Sequence, residues 1–206
     1  MNLSTPWEGV LEPGLGRVIT RLAILPGPAT GRRIHELSGN ATLNVTQRVL
    51  RNLTDIGLVK LGHVATANLY TLNRKHLLWE KIEHILALPT EYQEELGRLF
   101  TRLAPTSTLT LYGSTARRES QADSDVDLVI LWDPTVDQDT RLDILDQLES
   151  FTADTVGNVT EIFELELPQL VDMYNSGDPL VSSWLRDGIH LGGPAPIRTQ
   201  FQGARR

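Results

Sequence analysis

Two aspartates, Asp125 and Asp127, straddle one valine and open directly onto an apolar run, Leu128 to Trp132. Residues two apart on a strand point to the same side, so both carboxylates can aim at one point. Such a pair repels unless a cation lies between its members. Hard divalent cations, Mg²⁺ above all, take oxygen ligands of this sort together with substrate phosphates. About ten residues earlier, another apolar run (Leu109, Leu111, Tyr112) breaks at Gly113-Ser114. Glycine lets the backbone turn sharply and approach a ligand closely. The N–H groups that open the following helix can then hold phosphate oxygens. The Ser114 hydroxyl can add a hydrogen bond, and Arg117 and Arg118 lie one turn on. A phosphate cradle near a metal-binding Asp pair suits phosphoryl or nucleotidyl transfer.

The elements around these residues are readable from spacing. Residues 91–103 form a helix with Tyr92, Leu96, Leu99 and Phe100 on one face, and Pro105 breaks it before the first strand of a sheet. Pro134 ends the strand that carries the Asp pair. Leu142, Leu145, Leu148 and Phe151 mark a helix, and Val159 to Leu167 a strand. Pro168 to Asn175 and Pro179 to Arg186 are helices, and Gly188 to Gly193 closes the domain. The tail 194–206, polar with Pro and Gly, is expected to be flexible.

Gly-Ser, a gap of roughly ten residues, then Asp-x-Asp between apolar residues resembles the polymerase-β-like nucleotidyltransferase superfamily. The Ser-Thr-Ala-Arg continuation from Ser114 and the Ser124 before the pair look especially like its minimal and kanamycin-type members. The likeness covers roughly residues 91–193. It implies a mixed sheet flanked by helices. It also implies a Mg²⁺-dependent enzyme, with two ions, that moves a nucleoside monophosphate from a nucleoside triphosphate to a hydroxyl acceptor. ATP is the nucleotide by family frequency. Asp125 and Asp127 would be catalytic metal ligands, and Gly113, Ser114, Arg117 and Ser124 would hold the nucleotide. The family adds a third acid on a neighbouring strand, for which Glu161, Glu164 and Glu166 are candidates. Glu161 precedes Ile162-Phe163, as the family's third acid precedes apolar residues, and the other two lie on the opposite pleat. Glu161 is therefore the expected third ligand, and it could help deprotonate the acceptor.

Composition narrows the classes. The chain has 206 residues, enough for one domain or two, and no cysteine, which excludes disulfides and thiolate chemistry. No apolar run reaches membrane-spanning length, and the first residues lack signal-peptide regions, so a cytoplasmic protein with no membrane role is expected. The five histidines do not cluster, and His76 and His84 lack metal-ligand spacing. Charge is uneven. Residues 1–75 hold 9 Lys+Arg against 4 Asp+Glu, and residues 76–206 hold 10 against 22, balances of +5 and −12. Opposite signs in the two halves suggest two domains with different partners.

The basic half reads as an extended lead-in over residues 1–13, then three helices and a hairpin. Val18, Ile19, Leu22, Ala23 and Leu25 mark the first helix, stopped by Pro26-Gly27-Pro28; Thr30 to Leu37 is the second. Val45, Val49, Leu50, Leu53 and Ile56 mark the third, with Thr42 as cap and Gly57 as stop. Leu58 to Leu61 and Asn68 to Leu72 read as paired strands around a tip from Gly62 to Ala67. This order resembles a winged helix-turn-helix domain of the bacterial regulator type. The third helix would be the recognition helix, and Asn44, Thr46, Gln47, Arg48, Arg51 and Asn52 lie off its apolar face. Residues 76–88 form an amphipathic helix, ended by Pro89, that links the domains or makes a homodimer contact.

The expected protein is thus α+β. It has a winged helix-turn-helix over 1–75, a linker helix over 76–90, a nucleotidyltransferase domain over 91–193 and a tail over 194–206. Its partners would be DNA or tRNA through the first domain. The family's acceptors include antibiotics, tRNA ends and proteins, among them members of toxin–antitoxin pairs. The rival readings are a DNA-binding transcriptional regulator whose transferase domain senses nucleotide, and a toxin–antitoxin component.

Overall fold

The computed structural model describes residues 1–40 and 42–204. They fall into two compact units. One is Thr5–Leu88, and the other joins Met1–Ser4 to Pro89–Arg206.

The Thr5–Leu88 unit begins with helix α1 (Pro13–Ile24), capped by Glu12, whose side chain accepts from the Leu15 N–H. A two-residue strand, β1 (Ala29–Thr30), follows, then α2 (Gly31–Ser38) and α3 (Leu43–Asp55). Thr42 caps α3 by accepting from the Val45 N–H, as the sequence predicts. Strands β2 (Val59–Val64) and β3 (Ala67–Leu72) form an antiparallel hairpin, and β1 adds to the outer edge of β3. Helix α4 (Leu77–Leu103) starts here. Val18, Ile19, Leu22, Ile34, Val49, Leu50 and Leu53 from the three helices bury together with Leu58, Val59, Trp79 and Ile82. Helical periodicity read this stripe well. Two expectations change. Strand β1 is too short to be recognised by alternation, and the hairpin runs closer to its tip than expected. Full pairing extends to Val64↔Ala67, so only Ala65 and Thr66 turn, with Ala65 at φ 50°.

In the second unit α4 continues without a break through Pro89, contrary to the expected stop. Proline removes one N–H and kinks a helix rather than always ending it. Buried Tyr92, Leu96 and Phe100 hold the turns that follow. Strand β4 (Thr108–Leu111), the single turn α5 (Gly113–Ala116), β5 (Val126–Trp132), α6 (Gln138–Val156) and β6 (Thr160–Glu166) come next. Helices α7 (Leu167–Asn175) and α8 (Pro179–Asp187), strand β7 (Ile189–Gly192) and α9 (Ile197–Ala204) complete it. The sheet order is β6-β5-β4-β7, with β5 and β6 parallel and the other pairs antiparallel. It is the mixed sheet with flanking helices that the sequence implied.

Strand β5 is central and apolar on both faces, as a covered strand must be. One face (Val126, Leu128, Ile130, Trp132 with Leu109 and Leu111) packs on α4 and α6 through Leu96, Phe100, Ile144 and Leu148. The other (Val129, Leu131 with Leu165) packs on α7, α8 and α9 through Leu170, Val181, Trp184 and Ile197. Ile197, at the start of α9, is buried in this core within a segment whose composition is polar. Arg205 and Arg206 lie outside the described residues. The extended lead-in is corrected. Leu3 is buried in the α4/α6 core, and Thr5 to Leu11 form turns. Among the described residues no helix is long and apolar enough to cross a membrane.

Candidate active site

The end of β4 is fastened to β5 before the chain turns. The Tyr112 N–H donates to the Asp127 carbonyl at 2.9 Å. Gly113 follows at φ +69°, and a Cβ there would fall on the Asp127 carboxylate. A left-handed φ and this close approach both require glycine. The Ser114 N–H lies close enough to the Asp127 carboxylate to favour its charged form. The close fit of Gly113 against the Asp127 carboxylate packs the turn onto that carboxylate.

Strand pairing brings the acids together. Asp127 and Glu161 are register partners on the parallel strands β5 and β6, so their side chains leave the sheet on the same side. Asp125, just ahead of β5, is near enough for its charge to act on Asp127. The Asp127 carboxyl is half-buried and shifted above its usual range. Burial is the main cause, followed by the charges of Glu161 and Asp125; the Ser114 N–H and the Arg117 guanidinium oppose it. Glu164 and Glu166 point the other way and are engaged there. Glu164 accepts from Trp132 Nε1 at 2.7 Å, and Glu166 pairs with Arg141 at 2.7 Å. Among the described residues no three acidic or imidazole side chains already form a metal-holding cluster. Three hard oxygen donors whose mutual repulsion is visible at Asp127 fit a divalent cation.

The loop between α5 and β5 is stiffer than its composition suggests. Arg117 caps α5 and bonds Glu119 through Nε at 2.9 Å; the Asp187 carboxyl is lowered chiefly by its bond to Arg186 and only slightly by Arg117. Ser124 is placed immediately before the acids, and its hydroxyl accepts from the Gln121 N–H at 2.8 Å. That bond makes it a turn-former. The floor beneath the acids is aromatic. Tyr112 meets Trp184 edge-on at 5.8 Å, and Phe163, two residues after Glu161, lies 5.2 Å from the same ring. The Tyr112 hydroxyl is raised above its ordinary value by burial, then by the charges of Asp127 and Glu161. Trp184 could not be linked to the site from sequence, because the packing of α8 beneath the acids is a tertiary fact.

In the other unit, Asn44, Gln47, Arg48, Arg51 and Asn52 are exposed on α3, at the spacing of one helical face. Thr46 is not among them. It is fully buried, and its hydroxyl bonds His35 Nδ1 and Asn40 Nδ2, each at 3.2 Å. Asn40 Nδ2 also donates to the Gly14 carbonyl at 3.4 Å. Thr46 therefore locks the turn between α2 and α3. From sequence alone, a threonine one position outside an apolar stripe cannot be told from a surface one.

Residues 94–182 match the family model described as "Polymerase beta, Nucleotidyltransferase". No curated protein matches the chain. Among solved structures, the chain is similar to "Crystal structure of the toxin-antitoxin with AMP-PNP" at 16% identity and TM-score 0.38, over 54% of this chain and 82% of that one. It is similar to the tri-AMPylated Shewanella oneidensis HEPN toxin in complex with MNT antitoxin at 16% identity and TM-score 0.34, over 54% and 78%. It is also similar to TrmBL2, described as an archaeal chromatin protein with a novel mode of DNA binding, at 17% identity and TM-score 0.30, over 85% and 74%.

Proposed function

We propose, from the premise that residues 94–182 are a polymerase-β-type nucleotidyltransferase domain, that the chain transfers a nucleoside monophosphate from ATP to a hydroxyl acceptor. The observation that carries this reading is the pairing of Asp127 with Glu161 beside Gly113, with Asp125 near enough for its charge to act on Asp127. Asp125, Asp127 and Glu161 would hold Mg²⁺, two ions in the fullest form. The metal would supply Lewis-acid stabilisation of charge on the phosphoryl oxygens and the leaving group. The chain's own residues do the rest. Gly113 leaves the Asp127 carboxylate room against the turn. The Arg117 guanidinium, on the edge of the site, would attract the triphosphate. Glu161, exposed on β6, can take the acceptor's proton as the hydroxyl attacks. The bond from acceptor oxygen to α-phosphorus forms, the bond to the bridging oxygen breaks, and pyrophosphate leaves.

We read the Thr5–Leu88 unit as a winged helix-turn-helix that binds nucleic acid, DNA or tRNA, through the exposed face of α3. The acceptor class follows from neither unit: RNA, protein and small-molecule hydroxyls all suit the chemistry. A second reading is supported by that basic helix face. The chain would then be a DNA-binding regulator or toxin–antitoxin component whose second unit senses nucleotide with little or no turnover. Incubation of the full chain with cell extract, Mg²⁺ and ATP labelled at the α- or γ-phosphate separates the two. Label carried into an acceptor only from the α position supports transfer. ATP binding with no α-label carried over in any fraction, native RNA included, overturns it in favour of the sensor.

A further inference from the structure

The loop that delivers Asp125 is tied down by one buried amide. Asn158 follows the left-handed Gly157 that ends α6, and it stands two residues before β6. Its Nδ2 donates to the Ser124 carbonyl at 2.9 Å, the peptide unit that leads directly into Asp125. The same nitrogen donates to the Met1 carbonyl at 3.1 Å, and Oδ1 accepts from the Met1 nitrogen at 2.7 Å. Next to it the Val126 N–H donates to the Val159 carbonyl at 2.8 Å. Four residues back from Ser124, the Ser120 N–H donates to Ser4 Oγ at 2.9 Å, and the two hydroxyls lie 2.7 Å apart. Asn158 is 6% exposed and Ser120 5%, so water does not substitute easily for these bonds.

We propose that Asn158 is a positioning residue. It holds the Ser124–Asp125 peptide against the start of β6, and so sets the distance between the Asp125 carboxylate and the Asp127–Glu161 pair. The Met1–Ser4 segment closes the brace from outside through Ser4 and Ser120. The role in metal placement rests on the transferase reading above; the brace itself does not. Register fixes Asp127 opposite Glu161, because both are inside paired strands. Asp125 precedes β5 and has no such partner. A side chain that bonds the backbone on one side of Asp125 while its neighbour Val159 bonds the other supplies what the ladder does not. Partners of this kind around metal ligands are worth roughly 10- to 100-fold in metal affinity.

Two measurements on the full chain test this. Amide hydrogen exchange read on peptides covering residues 118–127 should speed up in Asn158→Ala, and equally in Asn158→Asp, which keeps an acceptor but loses the donation to Ser124. Tyr92→Phe is the control, since it removes a buried bond to Thr152 elsewhere in the same unit. The Mg²⁺ concentration that half-maximally enhances ATP binding should rise about tenfold in both Asn158 variants and stay put in Tyr92→Phe. Unchanged exchange over 118–127 overturns the brace, whatever the chain does with nucleotide. Faster exchange with an unchanged Mg²⁺ requirement overturns the positioning role. If wild type shows no Mg²⁺ enhancement at all, the transferase reading fails and the positioning role goes with it, while the exchange data still decide the brace.

Discussion

The exposed face of α3 and the acidic edge of β5 and β6 are both sets of polar side chains displayed by simple periodicity, but they are held in opposite ways. On α3, Asn44, Gln47, Arg48 and Arg51 stand on a helix whose far side is buried, and exposed long side chains keep their rotamer freedom. At the acids almost everything is fixed from behind. Gly113 leaves room for Asp127, the Ser114 N–H favours its charged form, Glu161 is its register partner, and aromatic rings floor the space. Free arms suit a partner whose phosphates lie at variable positions. Acids placed by strand register suit a reaction whose geometry tolerates little error. The contrast ranks the consequences of mutation: single changes at the acids should cost orders of magnitude, and single changes on α3 small factors.

The largest effect is expected from Asp125→Ala combined with Asp127→Ala. Ligands that bind only the native state raise the melting temperature by mass action, and the double variant should lose the whole Mg²⁺-dependent part of the ATP-induced rise. A rise that survives would put the metal elsewhere and dissolve the contrast. Next is Glu161→Gln, which preserves shape and removes charge. Transfer should fall roughly 100-fold or more, the range of a lost acid–base group, while ATP binding stays within a few-fold. Equal losses of binding and turnover would make Glu161 an ordinary binding residue.

On the other side of the comparison, Arg48→Ala with Arg51→Ala should weaken duplex nucleic acid binding and reduce the slope of log affinity against log salt by about 2. ATP binding should not change. If either single arginine variant alone abolishes binding, α3 is as strictly placed as the acids. The smallest effect is a reference point outside both regions. Burial lifts the Tyr92 hydroxyl to about 12. Its folded value exceeds its unfolded one, so its contribution to stability is complete below about pH 10 and is lost as pH rises towards 12. Tyr92→Phe should remove that alkaline loss without touching either site, as denaturant midpoints across pH 8 to 12 would record.

How much of this was legible depended on how local each cause is. The Gly-Ser and Asp-x-Asp spacing was readable because turn, strand and alternation are all set within a few residues. Glu161 is preferred over Glu164 and Glu166 because it precedes Ile162-Phe163, as the third acid of the resembled family precedes apolar residues, and the register puts Glu161 beside Asp127 while the other two bond Trp132 and Arg141. What escaped was decided at long range. Proline at 89 signals a stop locally, but the following buried turns keep α4 going. Thr46 belongs to a buried network that includes His35 and Asn40, and no single-helix pattern can reveal such a partner. Asn158 touches Met1, 157 residues away, so the brace has no signature in either segment.

That last contact makes the Thr5–Leu88 unit an insertion in the chain order of the other. The second unit starts, is interrupted, and resumes at Pro89. Its opening residues must wait for Asn158 and Ser120 to be synthesised before they have anything to bind. Closing so long a loop in an unfolded chain carries an entropic cost, though one that grows slowly with length, by roughly 0.6 kcal/mol per doubling. A folded Thr5–Leu88 unit would replace that long loop with a structured one. It also follows that a fragment beginning at Pro89 is a poor stand-in for the second unit, because it discards Leu3 from the core and Ser4 from the loop before Asp125.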